Sequence, residues 1–381
     1  MEIAPFFTLL PSKTYFGCGI FSRFFDIIPP EKRRILVVTG KSSFTQSAYW
    51  DWLKKGAATR KIYLEPVSIS GEPSPIEIDK LASHYSKQEW EAVVGIGGGS
   101  VIDAGKALSA MLYVSEPIER YLEGIPNGKP YDRTKVYYIA CPTTAGTGSE
   151  ATKNAVMTLP GRNGYKRSLR HDSLIPDIAL IDPDLSVSCP RSVTTESGLD
   201  ALTQLIESYT SSASNVITDT LAMEGIKSCT ALPRILDKPN DRGLRSEMAY
   251  AAYLSGVCLT NAGLGIIHGI AGVVGGLYPV GHGALCSALL VRSTQMNLEK
   301  LKKTDNFSMI KKYETVGNML CGKTDLVRTL GDWVRKMDVK TLGQLGIKKE
   351  DFAKIAKSAR NKNNPVLLSE EDILTILVES Y

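Results

Sequence analysis

Between Met248 and Val291 the chain has no aspartate, glutamate, lysine or arginine. A stretch that long without charge is shielded from water, by protein or by lipid. Lipid is disfavoured by a second shortage. A spanning helix takes about 20 unbroken apolar residues, and here Gly263, Gly265, Gly269, Gly272, Gly275, Gly276 and the Pro279-Val280-Gly281-His282-Gly283 break interrupt the run. The reading is two buried helices joined by a bend, with no membrane partner. No Cys-x-x-Cys pair exists to build a structural zinc site, and the seven cysteines are odd in number and widely separated. They fit reduced thiols in a cytoplasmic protein better than a disulfide framework. The start, Met1-Glu2-Ile3-Ala4-Pro5, lacks the basic region and uniform apolar core of a signal peptide. Neither charge sign dominates: 45 basic against 40 acidic residues leave +5. The basic clusters, such as Lys32-Arg33-Arg34, are short and read as solvated faces, so no nucleic-acid partner is expected. Repeats and low-complexity segments are absent.

What is present is an alternation of short β-branched runs with helical patterns over the first half, the signature of a doubly wound parallel sheet. Strands are expected at residues 35–39, 62–69, 92–96, 136–141 and 178–181, with helices over 44–55 and 75–87 and a polar hairpin within 153–172. Beyond Ser186 strand signals stop and helical spacing takes over. The 381 residues therefore divide into an α/β domain over 1–185 and an all-helical domain over 186–381.

Three loops in the first domain suit a nucleotide. Gly97-Gly98-Gly99-Ser100 follows a strand and opens a helix, where backbone amides and the helix dipole hold pyrophosphate. Pro142-Thr143-Thr144-Ala145-Gly146-Thr147-Gly148-Ser149-Glu150 follows the next strand and offers hydroxyls to the same ligand. Gly40-Lys41-Ser42-Ser43 follows the first. It imitates a P-loop, but the required upstream glycine is Ile35, inside the strand, so an NTPase is disfavoured. What remains is a lysine with two hydroxyls, suited to an extra phosphate.

The segments Gly97 to Lys106, Pro142 to Glu150, Ser197-Gly198-Leu199-Asp200-Ala201-Leu202-Thr203-Gln204 and His282-Gly283 resemble, in order and spacing, the iron-containing (group III) alcohol dehydrogenases. The resemblance runs from Tyr15-Phe16-Gly17 through residue 291. It implies the dehydroquinate synthase-like fold, with a dinucleotide domain, a helical metal and substrate domain and an active site in the cleft between them. It implies hydride transfer between NAD(H) or NADP(H) and a small alcohol, aldehyde or keto substrate, assisted by a divalent ion, Fe2+ or Zn2+. It places Asp103 on the cleft-side helix, Thr143, Thr144 and Thr147 near the cofactor, and Lys166 where it reaches the cofactor. A homodimer is carried over in the same way.

An ion held by Asp200, His268 and His282 would act as a Lewis acid on a bound alcohol. Residue 204 shares a helix face with Asp200. In most family members it is histidine; here Gln204 is a candidate fourth ligand through its weaker carbonyl oxygen. A second family histidine, one turn after His268, is replaced by Gly272. These two departures resemble the branch near the maleylacetate reductases, where His268 or His282 would serve as the acid of a metal-independent reduction. Gly40 stands where NAD-using members often carry an acidic residue, so Gly40, Lys41 and Ser42 point to NADP(H). The alternatives from other classes are a dehydroquinate-synthase-like lyase and a non-catalytic nucleotide-binding scaffold.

Overall fold

The computed structural model describes residues 6–11 and 13–381; the Met1-to-Pro5 start, on which the signal-peptide reading rests, lies outside them. The first half forms β1 (Thr14–Phe16), α1 (Phe24–Ile27), β2 (Arg34–Gly40), α2 (Ala48–Thr59), β3 (Tyr63–Ile69), α3 (Pro75–Tyr85), β4 (Ala92–Gly97), α4 (Gly99–Met111), β5 (Tyr137–Pro142), β6 (Asn154–Leu159), β7 (Tyr165–Arg170) and β8 (Ile178–Ile181). Six strands make one parallel sheet in the order β1-β8-β5-β4-β2-β3. Central β4 is buried at every residue, as its unbroken apolar composition requires of a strand covered on both faces. Pro66 sits in β3, an edge strand, where a missing backbone donor costs least. β6 and β7 form the expected antiparallel hairpin. Two details differ from the sequence reading. β1 is an additional edge strand, and the first long helix starts at Ala48 because residues 41–47 are spent on turns, with extended Ser47 preceding it.

The chain runs outward from β2 to β3, then returns to place β4 on the other side of β2 and continues to β5. The winding direction thus reverses between β2 and β4, which opens a crevice at their carboxyl ends. The loops after these strands are Gly40 to Ser43 and Gly97 to Ser100.

The second half is helical: α5 (Arg191–Tyr209), α6 (Val216–Ser228), α7 (Leu232–Asp237), α8 (Arg242–Ala262), α9 (Ile266–Leu277), α10 (His282–Lys303), α11 (Phe307–Cys321), α12 (Leu326–Lys336), α13 (Phe352–Ser358) and α14 (Glu370–Glu379). The charge-free stretch supplies parts of three helices, not two, because the chain breaks both at Gly263–Gly265 and between Leu277 and His282. Leu254, Cys258, Ile266, Ile270, Val274, Leu285 and Leu289 from these helices join the core of the helical half, so protein supplies the shielding. Among the described residues no single helix is long and apolar enough to cross a membrane; α8 and α9 reach that length only together, across a 97° bend.

Candidate active site

Asp200 lies in the middle of α5, which removes a helix-capping role for it. Gln204 and Glu207 follow on the same face, four and seven residues on. His268 comes from the first turn of α9 and His282 opens α10. The three helices bring the Nε2 atoms of His268 and His282 to 3.6 and 3.8 Å from Asp200 Oδ1. The Cys286 Sγ, one turn after His282, is 3.7 Å from each Nε2. One donor atom from each of these four residues lies within 4.8 Å of the others.

The surroundings fix how these atoms point. Glu207 Oε2 meets His268 Nδ1 at 2.7 Å while its Oε1 accepts from the Ile267 amide at 2.7 Å. A carboxylate on Nδ1 keeps the proton there and leaves the Nε2 side facing Asp200. Gln204 donates its amide to Asp200 Oδ2 at 2.9 Å, and its carbonyl oxygen accepts from Ser255 Oγ at 2.9 Å. It therefore braces the carboxylate and does not turn its oxygen into the cluster. Asp200 Oδ1 and His282 Nδ1 are buried without a hydrogen-bond partner, and such atoms are costly unless a ligand meets them. Gly272, in contrast, has nothing within 4 Å of where a Cβ would stand, which leaves room beside the histidines.

Electrostatics sharpen the picture. Burial would raise the Asp200 carboxyl, yet the imidazoles of His282 and His268 outweigh it and hold the group below its usual value. Burial would likewise lower His268, but Cys286, Glu207 and Asp200 around it keep it well above the ordinary imidazole range. His282 is pushed down to about 3, by burial first and by the Lys166 ammonium second. Burial lifts the Cys286 thiol to about 11. A buried pocket with a partnerless carboxylate oxygen, two imidazole nitrogens and a thiol converging on one point fits a divalent cation.

The nucleotide loops assemble at the carboxyl end of the sheet. The Thr143 amide donates to the Gly97 carbonyl at 2.9 Å, and a Cβ on Gly98 would touch Thr144 at 3.5 Å. A side chain at Gly99 would overlap Thr147, so glycine is needed for these two loops to close up. Ser100 lies in the first turn of α4. A Cβ on Gly40 would come no nearer than 4.0 Å to Val101, and Lys41 and Ser42 are exposed. Gly148 takes a left-handed φ of 58° and packs its α-carbon against the backbone of Ala252 and Gly256, while Gly146 packs on Ser197. The 142–150 loop is thus wedged between the sheet and helices α5 and α8.

Two residues expected near the cofactor make contacts within the protein. Asp103 spends its carboxylate on Ser149 Oγ and, at 3.1 Å, the Val156 amide, and lies 4.0 Å from Lys106 Nζ; it clamps the loop and hairpin to α4. Lys166, on β7, is ion-paired with Glu72, which also accepts from Thr158 Oγ1 at 2.6 Å. Cys286, Glu207 and Ser255 are absent from the sequence-derived site. Spacings of four from His282 and of seven from Asp200 would have disclosed the first two. Ser255 carries no such signal. Nor does Lys362, whose Nζ reaches the His268 carbonyl at 3.3 Å from a loop near the C-terminus.

The iron-containing alcohol dehydrogenase profile matches residues 11–183, and the C-terminal profile of the same family matches residues 194–381. The chain belongs to the iron-containing alcohol dehydrogenase family. The NAD-dependent methanol dehydrogenase of Bacillus methanolicus is 30% identical over 80% of this chain and 81% of its own length. The NADPH-dependent butanol dehydrogenase of Clostridium saccharobutylicum is 27% identical over 96% and 90%. A crystal structure of an archaeal halo-thermophilic Red Sea brine pool alcohol dehydrogenase superposes with a TM-score of 0.90 over the whole of both chains at 24% identity, and so shares the fold. As a family member this chain is an oxidoreductase of the alcohol dehydrogenase type.

Proposed function

We propose that the chain moves hydride between NADP(H) and a small alcohol or aldehyde, in a cleft between a dinucleotide domain over 1–185 and a helical domain over 186–381. The observation that carries this reading is the partnerless Asp200 Oδ1 between His268 and His282, on a helix, α5, against which the 142–150 loop packs. Asp200, His268 and His282 would hold a divalent ion, whose chemistry is Lewis acidity toward the substrate oxygen. Glu207 orients His268, and Gln204 with Ser255 orients Asp200, so the donors are set before substrate arrives. His282 is a quarter exposed, so the cluster opens toward solvent on its side.

The amides of Gly97, Gly98, Gly99 and Ser100 would bind pyrophosphate at the start of α4, with Thr143, Thr144 and Thr147 alongside. Lys41 and Ser42, beside Gly40, would meet a 2′-phosphate, and nothing acidic stands at Gly40 to repel it. A tenfold preference for NADH over NADPH in kcat/KM would sink the NADP(H) assignment. Cytoplasmic location and a homodimer are carried by the family resemblance; light scattering on the purified chain measures the latter.

A second reading, reduction without metal, is favoured by the engagement of Gln204 with Ser255 and by the raised His268, a ready proton donor. Metal analysis of protein purified without chelator, with NADPH oxidation assayed over a panel of aldehydes and keto acids before and after iron or zinc addition, separates the two. Near-stoichiometric metal with metal-dependent turnover supports the first reading. Undiminished turnover by metal-free protein replaces it with the second.

A further inference from the structure

Gln204 is saturated inside the protein: its amide is on Asp200 and its oxygen on Ser255. Cys286 is fully buried, and its sulfur sits midway between the two imidazoles, 3.7 Å from each Nε2. We infer that Cys286, and not Gln204, completes the donor set with Asp200, His268 and His282, and that this oxygen, two-nitrogen, sulfur set selects zinc over ferrous iron. The inference rests on the metal-assisted reading above and deepens it.

Spacing supports it. Tetrahedral bonds of about 2.0–2.1 Å to nitrogen and oxygen and about 2.3 Å to sulfur put neighbouring donors roughly 3.3–3.6 Å apart. Four of the six donor pairs, at 3.6, 3.7, 3.7 and 3.8 Å, need to close by about 0.5 Å or less to match those bonds, and the other two lie within 4.8 Å. The second observation is independent of the sulfur: Asp200, 1% exposed, aims a partnerless oxygen at the same point. Cys258 provides a contrast, since that equally buried thiol is directed at the Thr218 carbonyl at 3.5 Å.

The chemistry favours zinc. Thiolate is a soft donor that suits zinc, and zinc binds above ferrous iron in the general affinity order. On binding, the S–H bond is given up, its proton leaves to solvent and an S–Zn bond forms. Carboxylate and thiolate together then cancel both charges of the ion, so it attracts a fifth, substrate oxygen less strongly than an ion with a single anionic ligand would. A substrate oxygen would then have to enter as a fifth neighbour.

X-ray absorption on the full-length protein loaded with Zn2+ tests this directly. The expected result is one sulfur at about 2.3 Å beside nitrogen and oxygen neighbours. Cys286→Ser should abolish the sulfur shell and weaken zinc binding by at least the ~10–100-fold that loss of a ligand's supporting partner produces. It should weaken Fe2+ binding less, by about tenfold or under. A bound zinc ion with nitrogen and oxygen neighbours only would overturn the role of Cys286 while leaving the metal-assisted reading standing. Failure of the unmodified chain to take up either ion in competition-free equilibrium dialysis would overturn both. The wild-type spectrum needs no variant, so a misfolded Cys286→Ser protein does not remove the test.

Discussion

Two buried polar clusters lie on either side of the 142–150 loop, and they are built to opposite rules. In the sheet half, Lys106 is fully buried, yet its Nζ reaches the Ser149, Thr152 and Asn154 carbonyls at 2.8, 2.9 and 2.7 Å and the Thr152 hydroxyl at 2.9 Å, with Asp103 nearby. In the helical half, Asp200 Oδ1 and His282 Nδ1 find nothing. A saturated cluster holds a fold together, whereas one left open inside an otherwise satisfied interior holds a place for a ligand. The contrast separates structure from function more reliably than charge or burial, which the two clusters share.

The largest effect should come from emptying the open cluster. Asp200→Ala removes a carboxylate that a several-kcal/mol Lewis-acid contribution depends on, so kcat/KM should fall on the order of 10^3-fold with a folded circular dichroism spectrum; steady-state kinetics reads it. Lys106→Met attacks the closed cluster and strands its acceptors, at about 3–5 kcal/mol of stability in urea titration, while metal content per folded chain stays unchanged. If Lys106→Met emptied the metal site instead, the distinction between the clusters would fail.

A smaller effect concerns pH. Glu150, beside Lys106 and almost fully buried, has its carboxyl pushed up to about 7 by burial, against partial relief from its own backbone and Lys106. Its folded pKa lies above the unfolded value, so the folded state binds more protons between the two. The group's contribution is present below about 4.5 and is lost as pH rises through about 7. Glu150→Gln should therefore gain roughly 1–3 kcal/mol over the unmodified chain at pH 8 and little at pH 4.5, seen as the difference between their urea midpoints at the two pH values. Smallest is Lys41→Glu at the exposed mouth of the crevice. Removing a charge-assisted contact to a 2′-phosphate should cut kcat/KM with NADPH about tenfold and leave NADH nearly untouched.

The strands were legible because a doubly covered sheet writes continuous apolar runs into the chain, as in Ala92 to Gly97. β1 escaped notice: it is three residues long, with only Tyr15 even partly buried. The charge-free stretch announced burial but not its geometry, since glycines at 263, 265 and 281 mark breaks in the same way as glycines at 269, 275 and 276, which lie inside α9. Those interior glycines are there for packing: a Cβ at Gly269 would overlap the Arg360 carbonyl, and one at Gly276 would crowd Tyr165. His268 and His282 stood out because titratable groups are rare in such surroundings, and Asp200 because its segment matches the family motif. The engagement of Asp103 with Ser149 and Val156 carries no signal in the sequence, because the hairpin that supplies Val156 lies some fifty residues away.

The wedge of the 142–150 loop also limits how this protein can be rebuilt. Gly146 rests on Ser197 and Gly148 on Gly256, and Ser255 links the Gly146 carbonyl, at 3.4 Å, to Gln204 and so to Asp200. A chimera that takes its sheet half from one relative and its helices from another therefore cuts through a single fitted part. The workable exchange unit is the loop together with α5 and α8, and only a swap that also carries α9 and α10, the source of His268, His282 and Cys286, should transfer cofactor loop and metal cluster as one inheritance.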